Sequence, residues 1–257
     1  MNTTKIGFEI DGITGYTEGY LGILRVTKNV FNLLSNTERN NDMLPWFDEL
    51  EQNNEIKGVM VINEGDCFGP KEYSKFLSSI SGIEMDEANP HLITKFTRSD
   101  IRAIEINMLV NIVRKVSHFN KIFITAFRGG IVTPIFGTSL AADFRLASEN
   151  TYYSLSHAKY GLHASGALPF YLPKYMSIGK ANEYLINGGE ISALDALNLW
   201  IVNEVYREDE FEAKSFDFAR KTCDKPLNFI RSSKSLIHCY SRNLERFLEN
   251  ESNFLYQ

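Results

Sequence analysis

The chain has 257 residues, 44% of them hydrophobic and 23% charged, a composition that supports a substantial buried core. Its net charge of −5 argues against a wide nucleic-acid-binding face, which needs a clustered excess of Lys and Arg. The opening MNTTKIGFEIDG has no basic-then-apolar leader pattern and no apolar run reaches the ~20 residues of a membrane helix, so a cytoplasmic protein with no membrane partner is expected.

The first ~17 residues read as the most flexible part. Gly19 to Val26 and Gly58 to Ile62 are short apolar runs rich in β-branched residues and predict buried strands. Between them, Met43, Leu44, Phe47 and Leu50 fall at helical spacing, preceded by Ser35, Asn36 and Glu38 in the pattern of a capping box. A polar loop follows from Asn63 to Pro70, and Glu72 and Tyr73 just beyond it read as solvated loop residues or as contacts to an acyl chain. From Ser99, the spacing of Ile101, Ile104, Met108, Ile112 and Val116 predicts a second helix with an apolar stripe.

Lys121 to Phe127 predicts a third strand, and Arg128-Gly129-Gly130 turns the chain toward a helix over Phe136 to Ala142. Strands separated by long helices imply right-handed crossovers and a mainly parallel sheet. Further strands are expected near Leu146, over Tyr152 to Leu155 and over Ile201 to Val205, with short helices over Gly179 to Leu185 and Ser192 to Leu199. From Phe211 the pattern is helical to the end, with a break at Asp224-Lys225-Pro226 and apolar positions Leu227, Ile230, Ile237, Leu244 and Leu248. Cys67, Cys223 and Cys239 are far apart and odd in number, which suits reduced thiols, and the five histidines do not pair at ligand spacing, so no metal is expected.

Three stretches together resemble the crotonase (enoyl-CoA hydratase/isomerase) superfamily. KIFITAFRGG followed by AADFRLASEN is similar to its strand, glycine turn and Asp-x-Arg segment, with Asp143 and Arg145 in the familiar places. AKYGL, Ala158 to Leu162, resembles the family's Val-Lys-Leu-Gly strand, and GKANEYLINGGEISALDALNLWIVNEV resembles the long spaced run beyond it. The first third resembles the family more loosely, with DCFGPKEY in the place of its first glycine-rich loop. The resemblance implies an α/β fold with a crotonase-like ββα spiral core over residues 1–206 and a C-terminal helical trimerisation region over 207–257. It also implies a homotrimer or a hexamer, and a ligand that is an acyl-CoA or acyl-carrier-protein thioester, with coenzyme A entering as part of the substrate and no separate cofactor.

In that family two backbone N–H groups polarise the thioester carbonyl. The first maps onto Lys71, or onto Gly69 in another alignment of the loop. The second maps into the family's Gly-Gly-Gly-x-Glu run, where this chain reads Thr133-Pro134-Ile135-Phe136-Gly137, and Pro134 has no N–H to give. Thr133 suits an N-cap and Pro134 a first helical residue, so the N–H groups of Ile135 and Phe136 stay at the helix end and could hold a carbonyl in a shifted position. With Gly130 and Tyr73, these residues make up the expected pocket. The two glutamates that hydratases of the family use are replaced by Gly137 and His157, which argues against hydration by the usual route. His157 could act as acid or base near neutral pH or be satisfied by a backbone carbonyl, and His163 could supply a second such group or stay in its loop. Lys71 also lies near where decarboxylating relatives carry a lysine, though the C-terminal histidine of those relatives has no counterpart. Lys28 and Lys234 are candidates for nucleotide contacts, and Trp200, at a position where the family has glycine, reads as core or interface. The expectation is a thioester enzyme of non-hydrating type, with two alternatives: a catalytically degenerate scaffold, or a carbon-carbon hydrolase or decarboxylase acting on a non-thioester or malonyl-type compound.

Overall fold

Residues 8–18 form a paired hairpin rather than a flexible lead-in. Phe8–Ile10 (β1) and Ile13–Glu18 (β2) pair antiparallel around Asp11-Gly12, with Gly12 at φ 88°. Asp-Gly between two alternating runs favours a two-residue hairpin because the glycine accepts positive φ without a Cβ clash. The structure, a computed structural model, describes residues 6–28, 30–34, 42–81, 99–237 and 241–253, and the capping-box residues Ser35, Asn36 and Glu38 lie outside these.

In chain order the hairpin is followed by Leu21–Val26 (β3), Val30–Leu34 (α1), Met43–Gln52 (α2), Gly58–Asn63 (β4), Pro70–Ser81 (α3) and Ser99–His118 (α4). Next come Ile122–Phe127 (β5), Gly130–Val132 (β6), Thr133–Ser139 (α5), Phe144–Ser148 (β7), Tyr152–Ser154 (β8), Leu168–Tyr171 (α6) and Ile178–Asn187 (α7). Glu190–Ser192 (β9), Ala193–Asn198 (α8), Glu204–Tyr206 (β10), Phe211–Cys223 (α9), Leu227–Ile237 (α10) and Ser241–Asn253 (α11) complete it.

Seven strands make the main sheet in the order β1-β2-β3-β4-β5-β7-β10, parallel from β3 onward, as the helical crossovers require. A smaller sheet, β6-β8-β9, stands beside it. Side chains alternate between the two faces of the main sheet. Leu24, Val26, Val59, Phe123 and Phe127 face the large core under α1, α2 and α4, while Leu21, Ile23, Met60, Ile62, Ile124 and Ala126 face α9 through Phe211, Phe216 and Ala219. Helix α9, beyond the expected 206/207 boundary, is therefore the cover of the sheet's second face.

Two segments differ from expectation. The run from Pro70 is helix α3, because Tyr73, Phe76 and Leu77 recur at helical spacing and are buried, so Tyr73 is a core residue tilted against Phe31, ring centroids 5.0 Å apart, rather than a solvated loop residue. Ala158–Tyr160, expected as a strand, is one 3₁₀ turn closed by Gly161. Trp200 is neither core nor packed on it: it is 77% exposed, with φ 59°.

Candidate functional site

Two loops are stitched together at one end of the main sheet. The Asn63 side chain donates to the carbonyls of Gly65 (3.1 Å) and Arg128 (3.0 Å) and accepts the Arg128 N–H (2.9 Å). Asp66 Oδ1 accepts the Gly130 N–H at 2.6 Å, and the Phe68 carbonyl accepts the Val132 N–H at 3.0 Å. Gly130 thus ties the loops together. These bonds set the first turn of α3 against the entry to α5, each with a proline near its start: Pro70 opens α3 and Pro134 is the second residue of α5.

Gly69 is not an available donor, because its N–H closes a turn onto the Asp66 carbonyl at 2.9 Å. Lys71, exposed and second in α3, keeps an N–H in the first turn, where the i−4 carbonyl lies outside the helix. In α5 the N–H groups of Ile135 and Phe136 have no acceptor outside their own helix among the described residues, and Val132 provides no side-chain cap. That end of α5 therefore keeps its partial positive charge.

An apolar cavity of ≈ 90 Å³ lies between the sheet face and helices α1, α2, α4 and α5, and Phe68 and Ile135 are among its walls. Val61, Ile112, Phe123 and Phe127 line it further in. Two of its three hydroxyl side chains are tied to main chain, since Thr138 Oγ1 donates to the Pro134 carbonyl and Ser139 Oγ to the Phe136 carbonyl, each at 2.7 Å, and the third is Thr125. Among the described residues, no Asp, Glu, His or Lys side chain is in its walls.

His157 sits deep in the protein, 3% exposed, with both ring nitrogens engaged. Nε2 is 2.9 Å from the Leu185 carbonyl, which can only accept, so this nitrogen carries the proton. In the neutral ring Nδ1 then accepts from the Thr133 hydroxyl at 2.7 Å. The geometry is that of a clamp joining the α5 entry to α7, and Thr133 is consumed in it. Phe136 is fully buried against Tyr153, ring centroids 4.4 Å apart. His163 is exposed and not among the walls of the cavity.

At Gly137, where the family resemblance places a glutamate, the space is filled by main chain. A Cβ there would sit 2.8 Å from Leu168 N and from Ser165 O, and closer still to Gly166 O. Gly166 and Ala167 both take positive φ, 70° and 59°, and bring this loop onto α5. Both carboxylate oxygens of the buried Glu251, from α11, accept the Ala167 N–H. Nothing in the sequence spacing marked Glu251, whose role depends on a contact 84 residues away.

The two nucleotide candidates are occupied elsewhere. Lys234 is buried and bonds Asp143 and the Lys121 carbonyl, each at 2.7 Å, and Lys28 pairs with Asp11 at 2.8 Å beside the first hairpin. Among the described residues no group of three His, Cys, Asp or Glu side chains is gathered to hold a metal, and no helix is long and apolar enough to cross a membrane.

A parallel sheet with helices on both faces, a small second sheet, and a helix start set beside an apolar cavity define a protein of crotonase fold. The enoyl-CoA hydratase/isomerase family model matches residues 98–257, and the chain belongs to that family. Among solved structures it is similar to an enoyl-CoA hydratase from Mycobacterium avium subsp. paratuberculosis K-10, with TM-score 0.74 and 17% identity over 97% of this chain and 95% of that one. Another from Polaromonas sp. JS666 gives TM-score 0.70 and 24% identity over 95% and 90%. Among curated proteins, the bacillaene synthase decarboxylase PksI of Bacillus subtilis (strain 168) is 22% identical over 88% of this chain and 82% of its own. A 4-chlorobenzoyl coenzyme A dehalogenase of Arthrobacter sp is 21% identical over 79% and 69%.

Proposed function

We propose that this chain binds the acyl group of a CoA or carrier-protein thioester in the Phe68–Ile135 cavity, its carbonyl against the first turn of α5, and does not hydrate it. The observation that carries this reading is the apolar cavity beside a helix start whose Ile135 and Phe136 N–H groups have no acceptor outside their own helix among the described residues. Dipoles fixed there favour a carbonyl oxygen that gains negative charge. Hydration would need a base to activate water, and among the described residues the cavity walls supply no ionisable group.

A second reading has one reaction in its favour. Loss of CO2 from a malonyl-type thioester breaks the C–C bond, leaves the electron pair as an enolate, and needs donors for the enolate oxygen but no general base. The proton that completes the product comes from solvent. A decarboxylase is among the curated relatives. Family membership also supports a homotrimer or hexamer, which sedimentation would measure.

The test uses purified protein and its Ile112→Phe variant, which narrows the cavity, with saturated, enoyl- and malonyl-CoA followed by calorimetry and mass spectrometry. Binding of short acyl-CoAs that the variant loses, with no water added to the enoyl thioester, supports the proposal. Loss of CO2 from the malonyl compound selects the second reading. Hydration of the enoyl thioester, or equal binding by the variant, overturns the assignment.

A further inference from the structure

The apolar cavity holds one hydroxyl that the fold does not use. Thr125 stands on β5 on the same face as Phe123 and Phe127, since alternate residues of a strand share a face, and it lines the cavity with them. It is 5% exposed, and among the described residues its Oγ1 has no hydrogen-bond partner. Its cross-strand neighbours provide none. Val61, level with it on β4, is apolar, and Arg145, level with it on β7, holds the carbonyls of Ile201 and Ala142. The other two hydroxyls of the walls, Thr138 and Ser139, are tied to main-chain carbonyls.

A buried hydroxyl without a partner costs free energy that a valine of nearly the same shape would not. A water molecule does not relieve it, because a buried water needs roughly two to four polar partners and the side chains of these walls offer one. A ligand oxygen does, since a threonine hydroxyl donates to an oxo group and both donates to and accepts from another hydroxyl. Size and depth then fix where that oxygen sits. An apolar cavity of roughly 150 Å³ takes a benzene ring, so at ≈ 90 Å³ this one takes about three to four heavy atoms beyond a carbonyl held at α5. Phe127, the last residue of β5, packs edge-on against Phe68 beside the entry to α5, ring centroids 5.0 Å apart. Thr125 stands two residues further from that end, roughly 6–7 Å at the rise of a strand, which puts its hydroxyl at the far end of such a chain.

We propose that the acyl group this cavity selects is short and carries an oxygen, as hydroxyl or oxo, at its far end, and that Thr125 is the residue that recognises it. The inference rests on the acyl-thioester reading and names the substrate class of that same site. Apolar walls alone discriminate weakly between chains that differ by a methylene, whereas a buried polar group discriminates strongly against a ligand that leaves it unpaired. In a cavity whose other free wall atoms are apolar, Thr125 is therefore the specificity-determining residue.

Calorimetric titration of the full chain compares butyryl-CoA with 4-hydroxybutyryl-CoA for wild type, Thr125→Val and Thr125→Ser, with urea unfolding of each protein alongside. Wild type is expected to bind the hydroxylated thioester roughly tenfold or more tightly than the plain one, and Thr125→Ser to keep that preference. Thr125→Val should lose the preference and unfold at no lower urea concentration than wild type, because it removes only a hydroxyl that the fold leaves unpaired. Equal binding of the two thioesters by wild type, or a preference that survives in Thr125→Val, overturns this inference and leaves the acyl-thioester reading standing. Failure of wild type to bind either thioester overturns both.

Discussion

Both carboxylate oxygens of Glu251 accept the N–H of Ala167, at 3.1 and 3.3 Å, so the last helix of the chain holds a loop that packs on the helix at the centre of the candidate site. Ala167 has positive φ and is fully buried, a conformation that costs energy for any residue with a Cβ and persists because neighbouring contacts impose it. Glu251→Ala leaves that N–H without this acceptor. It should lower stability by roughly 1–3 kcal/mol and weaken acyl-thioester binding, read by urea unfolding and calorimetry. A variant that loses neither would show that the loop is held by its own packing.

Restoring a glutamate at the family position should not restore hydration. Gly137→Glu drives a side chain into the Ser165–Leu168 main chain, and overpacking of this kind typically costs about 1–3 kcal/mol. The expected outcome is a lower unfolding midpoint and no water added to an enoyl thioester. A stable, hydrating variant would contradict the packing described.

The engaged ring of His157 separates two outcomes that a simple knock-out would confuse. His157→Ala removes the partner of the Leu185 carbonyl and of Thr133, and should destabilise by roughly 1–3 kcal/mol. Any turnover should then fall only in step with the folded fraction. If instead an activity is lost while the unfolding midpoint is unchanged, His157 is an acid–base group after all.

Lys121 links pH to stability. Its ammonium is fully buried against the carbonyls of Leu50 and Asn53, and burial, with the nearby positive charge of Arg231, lowers its pKa from 10.5 to about 8. Between those values the unfolded chain binds the proton and the native chain does not. Unfolding free energy should therefore rise as pH goes from about 8 to 10.5, and this contribution is lost as pH falls back through 8. The rise should be absent in Lys121→Met, which urea titrations across that pH range would measure.

Much of the fold was legible because its signals are local. The alternating apolar runs of β3, β4 and β5, the helical stripe of α4 and the glycine turn after Phe127 each follow from a short window of sequence. Helix α3 and the first hairpin were legible too, in Pro70 with Tyr73, Phe76 and Leu77 and in Asp11-Gly12, but a polar loop motif and a chain terminus pointed the other way.

The sequence by itself determined what is absent from the familiar positions: an N–H at Pro134 and carboxylates at 137 and 157. Only the tertiary structure decided what fills those places. The main chain of the Ser165–Leu168 loop occupies the room of one carboxylate, His157 spends both nitrogens between Thr133 and Leu185, and Arg145 holds the carbonyls of Ile201 and Ala142. Local pattern fixes which backbone conformation a segment adopts. Whether a side chain is exposed, satisfied or left charged depends on partners far along the chain, which meet only when the fold closes.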